Sequence, residues 1–199
     1  MTPFARTLAA CAASAACAAC AAVAPAPPPA AADPSPRAQA APAAPPAPPP
    51  ATAADPKAAF ARLKGLAGAW EGKAGHGEEL GPASVRWETI SAGTAVMETL
   101  FPGTDHEMRS VYHLDGDTLV LTHYCAMGNQ PRMRLSRAST DRELVFDFSG
   151  GTNLNPRRDT HIHSGRIRLV GPDAIEAEWT VWGDGKQTGA NRFVLARKR

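Results

Sequence analysis

From Gly68 to Arg197 the chain runs in short stretches of alternating apolar and polar side chains, each soon halted by Gly, Pro, Asn or Asp. Alternation at a period of two belongs to strands that press one face on a core and turn the other to water. Ten such runs stand out: 68–73, 84–91, 95–101, 106–114, 117–125, 131–138, 143–149, 159–170, 174–182 and 188–197. The clearest junction is Tyr112-His113-Leu114-Asp115-Gly116-Asp117-Thr118-Leu119, where Asp115-Gly116 suits a two-residue hairpin turn. Ala92-Gly93-Thr94 and Gly171-Pro172-Asp173 mark two more. Connections this short join antiparallel neighbours. Helical spacing is confined to Lys57–Lys64, where Phe60 and Leu63 share a face, Asp55 is placed as a cap and Pro56 takes the first helical position. The pattern predicts an all-β fold after one short helix: a sandwich, or an up-and-down antiparallel barrel of about ten strands.

The segment before that helix has another composition. From Ala24 to Ala54 nearly every residue is Ala or Pro, broken only by Asp33, Ser35, Arg37, Gln39 and Thr52. It has no large apolar side chains whose burial could offset its ordering entropy, which predicts a Pro/Ala linker over 24–55. Ahead of it, residues 1–23 read as an export signal, with Arg6 as the positive charge and a weakly apolar run after it. Pro25 follows too soon to favour a lasting transmembrane helix. Cys11, Cys17 and Cys20 each follow two small residues, which resembles the lipobox of bacterial lipoproteins. Ala30-Ala31-Ala32 before Asp33 is the alternative, a plain cleavage site. The expectation is an exported protein, periplasmic or lipid-anchored in the bacterial envelope, whose tether holds the 56–199 domain off the membrane. That domain has one cysteine, Cys125, so it forms no internal disulfide. The net charge is +2 with both signs interspersed, so there is no basic stripe and no nucleic-acid partner is expected.

Gly68-Ala69-Trp70 opens the first strand directly after the helix. It resembles the Gly-x-Trp signature of the lipocalin-like (calycin) barrels. The resemblance implies that Trp70 plugs the closed end and that an Arg of the last strand, Arg197 or Arg192, packs across it. About ten strands is similar to the fatty-acid-binding and nitrobindin-like branch. Thr122-His123-Tyr124-Cys125, followed by Gly128-Asn129-Gln130-Pro131-Arg132-Met133, resembles uncharacterised bacterial secreted proteins of this type. Nitrobindin-like haem barrels carry a ligating His just before the final strand; Gly189-Ala190-Asn191 has none, which argues against haem by that route.

In an up-and-down barrel alternate connections lie at the same end. With Trp70 at the bottom, the bottom turns are 92–94, 115–116, 139–142 and 171–173, all short. The top connections, 74–83, 102–105, 126–130, 150–158 and 183–187, are mostly longer and rich in Gly, Asn and Pro. Five of the six histidines, His76, His106, His123, His161 and His163, fall at the top; His113 falls at the bottom. With Asp115-Gly116 as the turn, Tyr112 pairs with Leu119, Met108 with His123 and His106 with Cys125, which turns His106, His123 and Cys125 inward. His161 and His163 alternate with Ile167 and Leu169, so they too are expected inside. Glu98, set between Met97 and Thr99, is expected to face out.

The first functional reading is therefore a barrel that binds a small, partly apolar molecule. Its lower interior would be apolar and its mouth polar, lined by His106, His123, Cys125, Asn129, Gln130, Arg132, His161 and His163. Arg132 would hold a carboxylate or phosphate head group. A zinc, copper or haem site is a second reading, since imidazole and thiolate suit such metals. An enzyme with Cys125 as nucleophile and His106 or His123 as base is a third, with less behind it because no paired motif supports it. A structural envelope module that binds another protein is the fourth.

Overall fold

The computed structural model describes residues 53–199; the expected export signal over 1–23 and most of the expected linker over 24–55 lie outside the described residues. Helix α1 (Pro56–Gly65) begins as its sequence dictates: Asp55 caps it by accepting from the Ala58 amide at 2.9 Å, and Pro56 occupies the first turn, where no amide is needed. Ten strands follow: β1 (Gly68–His76), β2 (Gly81–Ile90), β3 (Ala95–Leu100), β4 (Met108–Asp115), β5 (Thr118–Tyr124), β6 (Gln130–Leu135), β7 (Glu143–Thr152), β8 (His161–Gly171), β9 (Ala174–Gly183) and β10 (Lys186–Arg197). Each pairs antiparallel with its neighbour in sequence, and β10 closes on β1, giving an up-and-down barrel without edges. All ten sequence runs become strands, and their order removes the sandwich.

The floor is built by α1 and the two ends of the barrel. Ala59, Phe60, Leu63 and Leu66 are buried beneath the strands, and the Trp70 indole donates to the Leu66 carbonyl at 2.8 Å. Arg197, not Arg192, crosses the Trp70 ring, with its guanidinium 4.5 Å from the ring centre. Above this plug the lower interior is solid. Tyr112 packs on Trp87 and Phe146 at 5.5 and 5.7 Å between ring centres, amid buried Leu119, Leu121, Met133, Leu144 and Ile167. Each such fully buried side chain is worth roughly 2–3 kcal/mol over an exposed one.

The β4–β5 hairpin departs from the sequence reading. Its turn is Gly116-Asp117, so Leu114 pairs with Leu119, Tyr112 with Leu121 and Ser110 with His123. Gly116 takes the first turn position at φ 58°, where a type II′ turn favours glycine. Sliding the turn by one residue moves each partner by two, so every side chain keeps its face. The inward face of this hairpin is therefore as expected, though the pairs are not. On its outer face the wall carries Arg166, Arg168, Glu176, Glu178 and Arg192, joined in ion pairs across β8–β10. Among the described residues no helix is long and apolar enough to cross a membrane.

Candidate functional site

Above the Tyr112 layer the barrel is hollow. A cavity of about 270 Å³ is walled by Leu100, Met108, Ser110, His123, Ile162, Trp179, Asn191 and Phe193. Its rim is formed by His106, Cys125, Ala126 and Met127 from the connections after β3 and β5. The opening is thus at the top, opposite Trp70. Among the described residues no acidic or basic side chain other than histidine lines it. A dry cavity of about 150 Å³ takes a benzene, so the space here suits a molecule on the order of ten heavy atoms.

Beside the cavity a buried polar chain crosses β3, β4 and β5. The Tyr112 hydroxyl donates to Glu98 at 2.8 Å, and Ser110, across the ladder from Glu98, bonds His123 Nδ1 through its hydroxyl at 3.0 Å. Glu98 faces inward, against the sequence expectation. It shares a face with Val96 and Leu100, both core residues, and its two sequence neighbours take the other side. Burial pushes its carboxyl up to about 7, although Tyr112 and Ser110 partly hold it down. Burial also pushes the His123 imidazole down to about 4, so the ring is neutral at ordinary pH. Its Nε2 is buried and has no hydrogen-bond partner. An unmet buried polar atom costs about 1–3 kcal/mol.

The structure separates the sequence-derived site residues into groups. His123 is in the wall, and His106 and Cys125 are at the rim; His106 lies before β4 and is exposed, so it has no strand partner there. The Cys125 thiol lies 4.0 Å from the Met108 sulfur, and burial raises its pKa. Asn129 is buried and donates to the Thr160 carbonyl at 2.8 Å, while Gln130 bonds Gly128 and Thr152; both fasten loops and neither lines the cavity. Arg132 is exposed between buried Pro131 and Met133, on the outer face. It cannot hold a head group inside the barrel.

His161 and His163 also leave the cavity. A bulge between Ile162 and Ser164 shifts the β8–β9 register and gives the wall position to Ile162. The β7–β8 ladder ends at Phe146–Gly165, and beyond it the two imidazoles pack with Phe148 and Trp182. His163 is stacked between those two rings, at 4.5 and 3.8 Å. His161 is fully buried; its Nδ1 donates to the Asp159 carbonyl at 2.8 Å, so its Nε2 accepts from His163 Nδ1 at 3.0 Å. They stitch a gap in the wall.

Sequence reasoning missed Ser110, Asn191 and Glu98. Alternation would have found the first two, since Ser110 stands between Met108 and Tyr112 on the inward face of β4, and Asn191 precedes Phe193 and Leu195 on that of β10. Asn191 Oδ1 also meets His76 Nδ1 at 3.1 Å, and the His76 ring lies over Gly189, where a Cβ would come within 2.2 Å of it. No sequence signal carries that last contact. The enzyme reading gains no geometry: the Cys125 thiol faces the Met108 sulfur. Among the described residues no three His, Cys, Asp or Glu side chains converge as metal ligands.

Fold and site together define a ten-stranded up-and-down barrel with a solid floor, a hollow upper half and a buried imidazole in the cavity wall. No protein-family model and no curated protein matches the chain. Among solved structures it is similar to a protein of unknown function of the DUF3598 family from Nostoc punctiforme PCC 73102, at 14% identity and a TM-score of 0.49. The match covers 68% of this chain and 48% of that one, so the chain spans about half the length of this relative.

Proposed function

We propose that this is an exported, lipocalin-like barrel that binds a small, uncharged, mainly apolar molecule in its upper half. The observation that carries the reading is the cavity itself: an open space of about 270 Å³ above a tightly packed core, with mainly apolar walls and, among the described residues, no Lys or Arg side chain to neutralise an acid. Ser110, His123 and Asn191 supply the polar part of that wall. The Trp70–Arg197 closure at the opposite end supports the lipocalin-like reading. The first 23 residues support export, and the Pro/Ala segment supports a tether, with or without a lipid at its start.

Trp179 lines the cavity, so its fluorescence reports occupancy. The full-length chain is titrated with phenol, indole and octanoate. The neutral probes are expected to bind saturably, and octanoate at least about tenfold more weakly, because its carboxylate would be desolvated without a cation. Leu100→Phe, which narrows the cavity, should weaken the neutral probes. A preference for octanoate, or no saturable binding by any probe, removes the reading.

A further inference from the structure

The two facing walls of the cavity differ in chemistry. In the closed ring of ten strands β9 stands across from β4, and β10 across from β5. From β9 and β10 come Trp179 and Phe193, whose rings line the cavity. They are diagonal neighbours, since Trp179 pairs with Asn191 and Phe193 with Ala177. Each ring is held in place. The Trp179 indole rests against Gly165 of β8, where a Cβ would come within 2.0 Å of it, and Phe193 packs on Phe101 at 5.9 Å between ring centres. From β4 and β5 come Ser110 and His123, joined by a hydrogen bond of 3.0 Å. Burial keeps that imidazole neutral, so neither wall presents a charge at neutral pH.

We propose that the cavity selects a small aromatic molecule of one or two rings with a hydroxyl or ring N–H on its edge, the rings against Trp179 and Phe193 and the polar edge toward Ser110 and His123. Aromatic rings that meet edge-to-face or in offset stacks gain more than the area they bury, and an aliphatic molecule of the same size does not. The Met108 thioether, in the same cavity, adds a preference of the same sign. A space of about 270 Å³, against about 150 Å³ for benzene, holds one ring or two fused rings. The inference rests on the ligand reading above and narrows it to a chemical class. It can fail while that reading stands, because its test compares neutral probes of equal size.

The full-length chain is titrated by calorimetry with phenol and cyclohexanol, which share size and hydroxyl and differ in the ring. Phenol is expected to bind at least about threefold more tightly. Trp179→Leu and Phe193→Leu should each bring that ratio toward one. Because a ratio is read, a general loosening of the cavity cancels, and either variant that folds suffices. Toluene should bind no tighter than phenol, although water holds it less, because it offers nothing to the Ser110–His123 wall. Equal affinities for phenol and cyclohexanol overturn the inference and leave the ligand reading in place, as does toluene binding more tightly than phenol. A ratio unchanged in the folded variants also overturns it. No saturable binding by any of these probes removes the inference and the ligand reading together.

Discussion

The guanidinium of Arg197 lies 4.5 Å from the centre of the Trp70 ring, and donates to the carbonyls of Ala67 and Gly65 at 2.7 and 2.9 Å. One side chain of the last strand thus holds the first strand, the helix end and the floor of the barrel. A cation over Trp is worth about 0.5–2 kcal/mol, and hydrogen bonds from a charged group add to it. Arg197→Met should cost roughly 2 kcal/mol in urea unfolding, and Arg197→Lys less, since it keeps the charge but not the fork. An unchanged midpoint for Arg197→Met would show that α1 and Trp70 close the floor without it.

Stability against pH should expose the Glu98–Ser110–His123 chain. Folding raises Glu98 from 4.5 to about 7 and lowers His123 from 6.5 to about 4. The Glu98 contribution is complete below pH 4.5 and is lost as pH rises through 7. The His123 contribution is complete above pH 6.5 and is lost as pH falls through 4. Between these limits the folded chain carries its proton on the carboxyl and the unfolded chain on the imidazole. Each amounts to roughly 3 kcal/mol, with opposite slopes. The parent should therefore be nearly flat across this window. Glu98→Gln should gain stability as pH rises, and His123→Leu should lose it. Unfolding midpoints with slopes of the same sign in both variants would refute the account.

Gly165 leaves room for Trp179 to lie against β8. A Cβ at this position would come within 2.0 Å of the indole. Gly165→Ala should push Trp179 toward the cavity, with a loss of about 1–3 kcal/mol. The indole emission should shift, and phenol affinity should fall with it. Retained stability and affinity would mean that β8 yields instead of the ring.

Arg132→Ala should leave phenol and octanoate affinities within about twofold of the parent, because an exposed outer side chain touches nothing in the cavity. A selective loss of octanoate binding in that variant would return Arg132 to the head-group role that its sequence context suggested.

How much was legible in the sequence depended on periodicity. Alternation through Met108 and Tyr112 and through Leu119, Leu121 and His123 set the inward faces of β4 and β5, and these survived a displaced turn because the partners shifted by two residues. The same alternation placed His161 and His163 inside, and there it failed. One extra residue in β8 flips everything beyond it, and no local signal at His161-Ile162-His163 announces the bulge. Glu98 was misplaced for another reason. Alternation with Met97 and Thr99 turned it outward, although its neighbours on the same face, Val96 and Leu100, mark that face as core.

By itself, the sequence determined the number of strands, their antiparallel order, the capped helix before them and the end at which most histidines gather. All of these follow from short-range rules of period, turn chemistry and capping. Tertiary structure alone decided which of those histidines share a cavity, that Met108 meets Cys125, and that Glu98 sits buried behind Ser110. Such contacts depend on bulges and registers that sum over the whole closed barrel, and closure is a property of all ten strands at once.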